Sequence, residues 1–214
     1  MPPIEIRFSF CYAVVMKIYL ATGNRHKLEE FRLMFPEHEI MLPGDEGIAF
    51  SFEETGKTYF ENSYGKAETL YNIVRAPVLA DDSGLSVDAL DGAPGIYSAR
   101  YGFEAGLSPS PAEQMDRLLK SMEQADDRKA AFVCCLTLIT GPLRFFTVQE
   151  TLTGSIARKK NGSGGFGYDP IFLPDGSSRT LACYTPEEKA AISHRGKAAA
   201  ALRRLLTAAD KGVL

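Results

Sequence analysis

Short apolar runs alternate with longer amphipathic stretches up to position 124, and two adjacent apolar runs follow. Short apolar runs bounded by turn residues are typical of buried strands, whereas apolar residues three or four positions apart indicate helices. On this basis we predict strands at 17–22, 39–42, 78–80, 130–140 and 145–156. We predict helices at 26–34, 58–74, 111–124 and 186–209.

The order of these elements predicts the type of sheet. Gly141 and Pro142 separate the last two strands and indicate a tight turn, which makes that pair antiparallel. Strands that first alternate with helices and then form a hairpin predict a mixed α/β sheet rather than a fully parallel one. Thr185, Pro186 and the two glutamates after them form a helix-start signal for the last helix.

Composition places the chain among globular domains and excludes some partners. The chain has 214 residues, of which 45% are hydrophobic and 24% charged. This size suits one domain that buries roughly 70% of its unfolded surface without disulfides or structural metals. The net charge of −3 argues against nucleic-acid binding and against a basic membrane-surface protein. No apolar run approaches the length of a membrane span, so we expect neither nucleic acid nor membrane as a partner.

The cysteines and the first residues indicate where the protein works and where its domain begins. Cys11, Cys134, Cys135 and Cys183 lack C-x-x-C spacing and are typical of small buried apolar side chains in a reducing compartment, so we expect a cytoplasmic protein. Residues 1–15 lack a clear signal-peptide cleavage site, and Met16 opens the first strand. We expect 1–15 to be an upstream extension and 16–214 to form a single domain.

Two adjacent carboxylates are the first candidate for chemistry. The apolar run 76–80 leads into Asp81 and Asp82, and Ser83 and Gly84 follow. Carboxylates at the end of a buried strand are costly to desolvate unless they meet a cation or a proton donor. Strand ends in α/β sheets are also where such folds bind ligands. A solvated turn has the same composition, so this segment alone leaves a metal- or base-assisted site and an ordinary turn both open.

A candidate anion site lies at the start of the first helix. The first strand runs into a glycine turn and then the helix, where free backbone N–H groups and the helix dipole attract an anion. Thr22 and Asn24 add neutral donors, and the Lys27 ammonium lies close by. An ordinary strand–helix turn is the alternative. The candidate segment consists of Thr22, Gly23, Asn24, Arg25, His26 and Lys27.

Acidic residues before the second helix indicate a metal site. Glu53 and Glu54 precede this helix, and at least one could join Asp82 around a divalent ion. Mg²⁺ typically takes only one or two protein carboxylates and the phosphates of a substrate. Lys66 follows Asn62 by four residues and therefore lies on the same helix face. A solvated acidic helix start is the alternative.

The last third of the chain holds two further candidates. Segment 162–170 interleaves four glycines with Phe166 and Tyr168, so the backbone can approach a ligand and an aromatic face can stack on a purine. A tight hairpin with packed aromatic rings is the alternative. Lys189, His194 and Arg195 supply donors beside Gly196, whose place inside a predicted helix costs about 1 kcal/mol relative to alanine. Such a break of local rules often marks a functional site.

Taken in order, seven motifs resemble the inosine/xanthosine triphosphate pyrophosphatases over Met16 to about Leu206. They are Thr-Gly-Asn-x-x-Lys, Glu-Glu-Thr-Gly, Phe-Glu-Asn, Ala-Asp-Asp-Ser-Gly-Leu, Gly-Ala-Pro-Gly-Ile-Tyr-Ser-Ala-Arg, Gly-Gly-Phe-Gly-Tyr-Asp-Pro-Ile-Phe and Ile-Ser-His-Arg-Gly. The resemblance implies an elongated mixed β-sheet flanked by helices, two lobes with a central nucleotide-binding cleft, and a homodimer. It also implies Mg²⁺-dependent hydrolysis of dITP, ITP and XTP to the monophosphate and pyrophosphate, which cleanses the nucleotide pool.

The resemblance also assigns roles to residues. It implies that Asp82 is catalytic and that Glu53 and Asp82 hold the metal, although the choice between Glu53 and Glu54 stays open. If the strand continues through Asp81 and Asp82, their side chains point to opposite faces of the sheet. The implied substrate-binding residues are Thr22, Gly23, Asn24, Arg25, His26, Lys27, Lys66, Ser83, Phe166, Gly167, Tyr168, Asp169, Lys189, His194 and Arg195.

Two other function classes remain open. One is a nucleotide-sensing module that has the same pocket without turnover, and the acidic residues Asp82 and Glu53 argue against it. The other is the Maf-like nucleotide pyrophosphatase class, which acts on other nucleotides. The Thr-x-Asn-x-x-Lys start and the Ser-His-Arg motif disfavour that class.

Overall fold

The computed structural model describes residues 15–103 and 109–210. Within these ranges it contains five α-helices, which are α1 (Arg25–Met34), α2 (Tyr59–Val74), α3 (Pro111–Ser121), α4 (Pro186–Ile192) and α5 (His194–Asp210). It contains seven strands, which are β1 (Lys17–Leu20), β2 (Glu39–Met41), β3 (Val78–Val87), β4 (Pro94–Gly95), β5 (Lys129–Gly141), β6 (Arg144–Ile156) and β7 (Phe172–Pro174). The expected extension 1–15 lies outside the described residues except for its last position.

The strands form one mixed sheet in the order β2-β1-β3-β5-β6-β7, and β4 pairs with part of β3. β1 runs parallel to β2 and β3, while all the other pairs are antiparallel. The mixed α/β sheet and the β5–β6 hairpin are therefore confirmed. The division into two lobes stays a prediction. No helix within the described ranges is long and apolar enough to cross a membrane.

β3 is longer than the apolar pattern indicates. The prediction that this strand stops at residue 80 is wrong, because β3 continues to Val87 and pairs with β5 over its whole length. Gly84 lies inside the strand rather than in a turn. A Cβ on Gly84 would lie 2.2 Å from the carbonyl oxygen of Gly95. The glycine is therefore needed for the close approach of the neighbouring backbone at β4.

The last predicted helix is two helices. α4 and α5 are separated by Ser193, whose backbone is extended with ψ of 157°. A Cβ on Gly196 would lie 1.7 Å from the carbonyl oxygen of Ala190, so only glycine permits this sharp junction. The predicted start of α4 is confirmed, since the Thr185 side chain and Glu188 form a reciprocal capping box.

The core assigns the two faces of β3. Leu79 packs on the face covered by α1 and α5, whereas Val78 and Ala80 pack on the face covered by α2. Because side chains alternate along a strand, Asp81 falls on the α1/α5 face and Asp82 on the α2 face. Cys134 and Cys135 are buried in the adjacent strand β5, as expected, while Cys183 is half-buried.

Candidate active site

A cleft of about 510 Å³ opens at the start of α1, which is a size that suits a small-molecule ligand. Asp82 lies behind this cleft surface rather than on it. Arg25 and Glu53 are exposed side chains that do not line it. The predicted residues that line the cleft are Thr22, Gly23, Asn24, His26, Lys27, Lys66, Ser83, Phe166, Gly167, Tyr168, Asp169, Lys189, His194 and Arg195.

The start of α1 forms one end of the cleft. The Asn24 side-chain oxygen caps the helix by accepting from the backbone N–H of His26 at 2.9 Å. The Thr22 hydroxyl accepts from the backbone N–H of Asn24 at 3.1 Å, which fixes the turn. Arg25 was expected to bind substrate, but its guanidinium pairs with Asp45 at 2.8 Å on the outside of the helix. The helix start therefore presents Lys27, not Arg25, to the cleft.

Asp82 lies in a mixed electrostatic environment. Its Oδ1 is 2.8 Å from the Lys66 ammonium, and its Oδ2 accepts from the Asn62 amide at 3.3 Å. The Lys66 ammonium is also 2.5 Å from Oε1 of Glu54. Burial raises the pKa of the Asp82 carboxyl, the nearby Glu54 and Asp81 charges add to this, and Lys66 only partly offsets it. The raised pKa suits Asp82, which lies directly behind the Lys66 side chain of the cleft wall, to accept a proton.

The structure separates the two glutamates between which the sequence left the metal-ligand prediction open. In the irregular segment before α2 the residues alternate in exposure, so Glu53 faces solvent while Glu54 is half-buried and lines the cleft. Arg100 holds Glu54 from the other side, with Nη1 3.2 Å from Oε2. The structure therefore places Glu54 rather than Glu53 beside Asp82.

The donor set fits a divalent cation of the magnesium type. Glu54 and Asp82 hold a single ammonium between them, so two anionic side chains converge on one positive group. The described residues contain no group of three or more His, Cys, Asp or Glu that could hold a metal. Mg²⁺ needs only one or two protein carboxylates when a phosphate supplies further oxygens, so a carboxylate pair suits this ion.

Asp81 has the opposite environment. Its Oδ2 is 2.8 Å from Nε of Arg195 and 3.2 Å from the Lys27 ammonium. Its Oδ1 accepts from the Cys134 thiol at 3.5 Å, and burial raises the pKa of that thiol well above its ordinary value. Burial alone would raise the pKa of the Asp81 carboxyl, but Arg195 and Lys27 hold it well below its usual range. Asp81 is therefore a permanent anion that positions two cations.

These ion pairs continue to the far end of the cleft. Glu30 of α1 accepts from Arg195 at 2.6 Å and from Lys189 at 2.7 Å. Lys189 is also 2.5 Å from Asp169, which lies in the glycine-rich loop 162–170. Burial opposes ionisation of Glu30, but Arg195 and Lys189 lower the pKa of its carboxyl overall. Opposite charges thus alternate along the cleft wall and fix the positions of Lys189 and Arg195.

An aromatic ring marks this far end. The Phe166 ring lies 4.9 Å from the Lys189 ammonium and 5.4 Å from the Arg195 guanidinium. His194 is buried and stacks on Phe132 with ring centroids 4.7 Å apart. Burial and the Arg195 charge lower the pKa of His194 well below its ordinary value, so this imidazole is neutral.

The model of the Ham1 family matches residues 18–205. The chain belongs to the Ham1 family. The resemblance that the ordered motifs indicate is thereby confirmed over most of the chain.

Other Ham1-family proteins agree in sequence and fold. A protein of Treponema denticola named dITP/XTP pyrophosphatase is 51% identical over 191 residues, which cover 89% of this chain and 98% of that protein. The solved Staphylococcus aureus Ham1 protein is 38% identical with a TM-score of 0.78, and the match covers 89% of this chain and 98% of that one. A Coxiella burnetii HAM1 protein is 37% identical with a TM-score of 0.79, covering 90% and 99%.

Three residues that contact charged side chains of this site, Glu30, Asn62 and Arg100, were not predicted as site residues from the sequence. Glu30 lies three positions after Lys27 on α1, so helical spacing could have placed both on one face. Asn62 lies four positions before Lys66, which is the same kind of signal. Arg100 lies in the Ser-Ala-Arg motif, but nothing local indicates that its partner is Glu54, 46 residues earlier.

Proposed function

We propose that the protein is a nucleoside-triphosphate pyrophosphatase that hydrolyses dITP, ITP and XTP, with Mg²⁺, to the monophosphate and pyrophosphate. The observation that carries the proposal is the pairing of Glu54 and Asp82 around Lys66, beside the anion-attracting start of α1. The Treponema denticola protein named dITP/XTP pyrophosphatase supports the substrate class. In this proposal Glu54 replaces Glu53 as the partner of Asp82.

The phosphates bind at the start of α1. The helix dipole and the N–H groups of the first turn attract the triphosphate. Lys27 and Lys66 both line the cleft and neutralise the β- and γ-phosphates. The Thr22 hydroxyl and the Asn24 amide complete this end of the site, while their mutual contacts keep the turn fixed. The product pyrophosphate leaves from these same residues.

The chemistry centres on Asp82. Glu54 and Asp82 would hold Mg²⁺, which when bound neutralises phosphate charge and polarises the phosphoryl oxygens. Asp82 orients a water towards the α-phosphorus and accepts its proton, a role that its raised pKa favours. A bond forms between the water oxygen and the α-phosphorus, while the bond from the α-phosphorus to the bridging oxygen breaks. The electron pair of that bond leaves with pyrophosphate.

The far end of the cleft selects the base. The Arg195 guanidinium has five N–H donors, and Asp81, Glu30 and Ser83 accept from its three nitrogens, so donors remain for a ligand. Lys189 has a further donor beyond those given to Glu30 and Asp169. These free N–H groups of Arg195 and Lys189 can donate hydrogen bonds to a ligand but cannot accept them. They therefore suit the 6-oxo group of a deaminated purine and leave the 6-amino group of adenine unpaired, which can discriminate strongly.

One comparison of substrates tests the proposal. The purified protein with Mg²⁺ is given dITP, XTP, dATP, dTTP and UTP in parallel, and pyrophosphate and monophosphate are measured. We expect dITP and XTP to be cleaved fastest, with equal amounts of both products. Tight binding of ITP without turnover would instead indicate a sensing module. Preference for dTTP or UTP would indicate the Maf-like class.

The cellular role follows from this activity. Hydrolysis of deaminated purine triphosphates would remove them from the cytoplasmic nucleotide pool before they reach a polymerase. The resemblance further implies a homodimer. Light scattering coupled to size-exclusion chromatography, compared with the monomer mass of 23.4 kDa, tests that assembly directly.

A further inference from the structure

Two parallel rings face each other inside the cleft, and they come from different parts of the chain. The His26 imidazole and the Phe166 ring are 5.7 Å apart between centroids and only 12° from parallel. His26 lies in the first turn of α1, and Phe166 lies in the glycine-rich loop. Both residues line the cleft. The pair therefore joins the phosphate end of the site to the base end.

The neighbours of Phe166 differ in how firmly they are held. Lys189 and Arg195 also lie against this ring, but each is buried and held by two carboxylates. The His26 side chain is 67% exposed, and its Nδ1 lies 4.0 Å from a carboxylate oxygen of Glu29, whose side chain is 74% exposed. Of these three neighbours, His26 is therefore the one that can turn aside without breaking a buried ion pair.

The spacing of the rings defines what opening would admit. Non-bonded carbon atoms touch at roughly 3.5 Å, so a planar ring between two others needs them about 7 Å apart. The present separation of 5.7 Å is too small for a third ring. A rotation of the exposed His26 side chain away from Phe166 would make that room. The backbone N–H of His26 is held by the Asn24 cap, so the movement is confined to the side chain.

We propose that His26 and Phe166 form a two-sided slot for the purine, in which His26 turns outward and stacks on the second face of the base. This inference rests on the proposed function, because it takes the ligand to be a purine nucleotide. Every purine offers a flat face, so stacking is tolerant of the substituents on the ring. The slot thus adds affinity for purines in general, while the N–H donors of Lys189 and Arg195 distinguish a purine with a 6-oxo group from one with a 6-amino group.

A set of variants at position 26 tests the slot through binding. Loss of one base–aromatic stack typically costs about 1–3 kcal/mol, which corresponds to roughly 5- to 150-fold in affinity. By calorimetry with Mg²⁺, we expect His26→Ala to weaken IMP binding on the order of tenfold and to leave pyrophosphate binding unchanged. His26→Phe should restore IMP binding. Both AMP and IMP should lose affinity by the same factor in His26→Ala.

A fluorescence experiment reports the contact itself. The chain has no tryptophan, so His26→Trp supplies a single indole reporter. IMP should quench this fluorescence by stacking, whereas pyrophosphate alone should not. Circular dichroism of each variant checks the fold, which we expect to be intact because the substituted side chain is largely exposed.

Several outcomes would overturn the slot. Unchanged IMP affinity in His26→Ala would show that the ring does not contact the base. Tighter IMP binding would show that His26 only covers Phe166 and competes with the ligand. If the wild-type protein cleaves dITP and either result appears, the slot alone fails and the proposed function stands. If the wild-type protein neither cleaves dITP nor binds IMP, both proposals fail together.

Discussion

Asp81 and Asp82 are neighbours in one strand, yet the two faces of β3 give them opposite properties. Asp81 faces α1 and α5, where Arg195 and Lys27 share one of its oxygens and hold its pKa well below the usual range. Asp82 faces α2, where a single ammonium is shared with Glu54, and burial raises its pKa. One carboxylate is a fixed anion, and the other is suited to accept a proton.

The difference shows that two neighbouring residues of one strand can take different roles, one structural and one chemical, because their side chains point to opposite faces of the sheet. Two identical side chains at consecutive positions meet different helices, because each residue points to the face opposite that of its neighbour. The number of cations per carboxylate then decides the pKa. Asp82 shares its one cation, Lys66, with Glu54, whereas Asp81 contacts two cations, Arg195 and Lys27. Variants of the two aspartates should therefore fail in different ways.

The largest expected effect is on turnover, at Asp82. Asp82→Asn keeps the side-chain size but removes the negative charge that accepts a proton and binds Mg²⁺. Loss of a general base alone costs about 10²- to 10⁴-fold in rate, so we expect at least that loss in kcat for dITP. Circular dichroism should show an intact fold, since Lys66 keeps Glu54 as a partner. Near-normal pyrophosphate release by this variant would remove Asp82 from the mechanism.

Asp81→Asn should instead reduce stability. The variant leaves Arg195 and Lys27 facing a neutral amide in a buried position. Breaking a buried ion pair from one side typically costs about 3–5 kcal/mol. Urea unfolding without nucleotide or metal should show this loss for Asp81→Asn and a smaller one for Asp82→Asn. Equal losses in the two variants would contradict the difference between the faces.

The sequence was sufficient for the sheet type and for most of the cleft residues, because those depend on local order. Turn residues and apolar runs can be identified from consecutive positions in the sequence, and the resemblance to the family rests on motifs in their sequence order. The sequence was not sufficient for the end of β3. The Ser83 and Gly84 pair has the composition of a turn, and only pairing with β5, some 50 residues away, makes it strand. Non-local pairing overrides local turn propensity here.

Long-range partners explain the rest of what the sequence could not show. Glu30 pairs with Arg195 across 165 residues, so no local pattern joins them. Glu53 and Glu54 are identical residue types, and the choice between them depends on which way an irregular segment faces. The pKa difference between Asp81 and Asp82 likewise depends on helices that lie far away in sequence.

The third expected effect, in order of size, is on the apparent affinity for Mg²⁺ at the face of β3 that carries Asp82. Glu54→Gln removes one of the two carboxylates around Lys66, whereas Glu53→Gln is a matched change at an exposed neighbour. We expect the Mg²⁺ concentration for half-maximal activity to rise by about 10- to 100-fold in Glu54→Gln. Manganese binding followed by electron paramagnetic resonance should weaken in parallel. A larger effect from Glu53→Gln would restore the assignment that the family resemblance implied.

Lys27 contacts Asp81 and, in the proposed function, also binds the phosphates. Removing its ammonium should therefore weaken binding of the triphosphate and leave binding of the nucleoside part largely unchanged. The Lys27 ammonium lies in the cleft, 3.2 Å from Asp81. A hydrogen bond to a charged group contributes about 1.5–3 kcal/mol, so Lys27→Ala should weaken ITP binding by roughly 10- to 100-fold. Binding of IMP, which lacks the β- and γ-phosphates, should change much less in the same calorimetric titration. Equal losses for both ligands would place Lys27 away from the triphosphate.

The smallest expected effect is the pH dependence of the stability difference between the wild-type protein and Asp81→Asn. The pKa of Asp81 is lower in the folded than in the unfolded chain, where it is about 3.9. The ionised carboxylate therefore contributes its full stability above about pH 4, and that contribution is lost as the pH falls towards the folded-state pKa. The asparagine variant lacks this titration and resembles the protonated wild type.

Urea unfolding of both proteins between pH 6 and pH 3, without metal, measures this dependence. The difference in free energy of unfolding between the two proteins should stay constant down to about pH 4. Below that pH it should decrease by at most about 1.4 kcal/mol per pH unit, which is the limit for one proton. Other carboxylates titrate equally in both proteins and cancel in the difference. A difference that increased on acidification would mean that folding raises the pKa of Asp81, and the contrast between the two faces of β3 would then be lost.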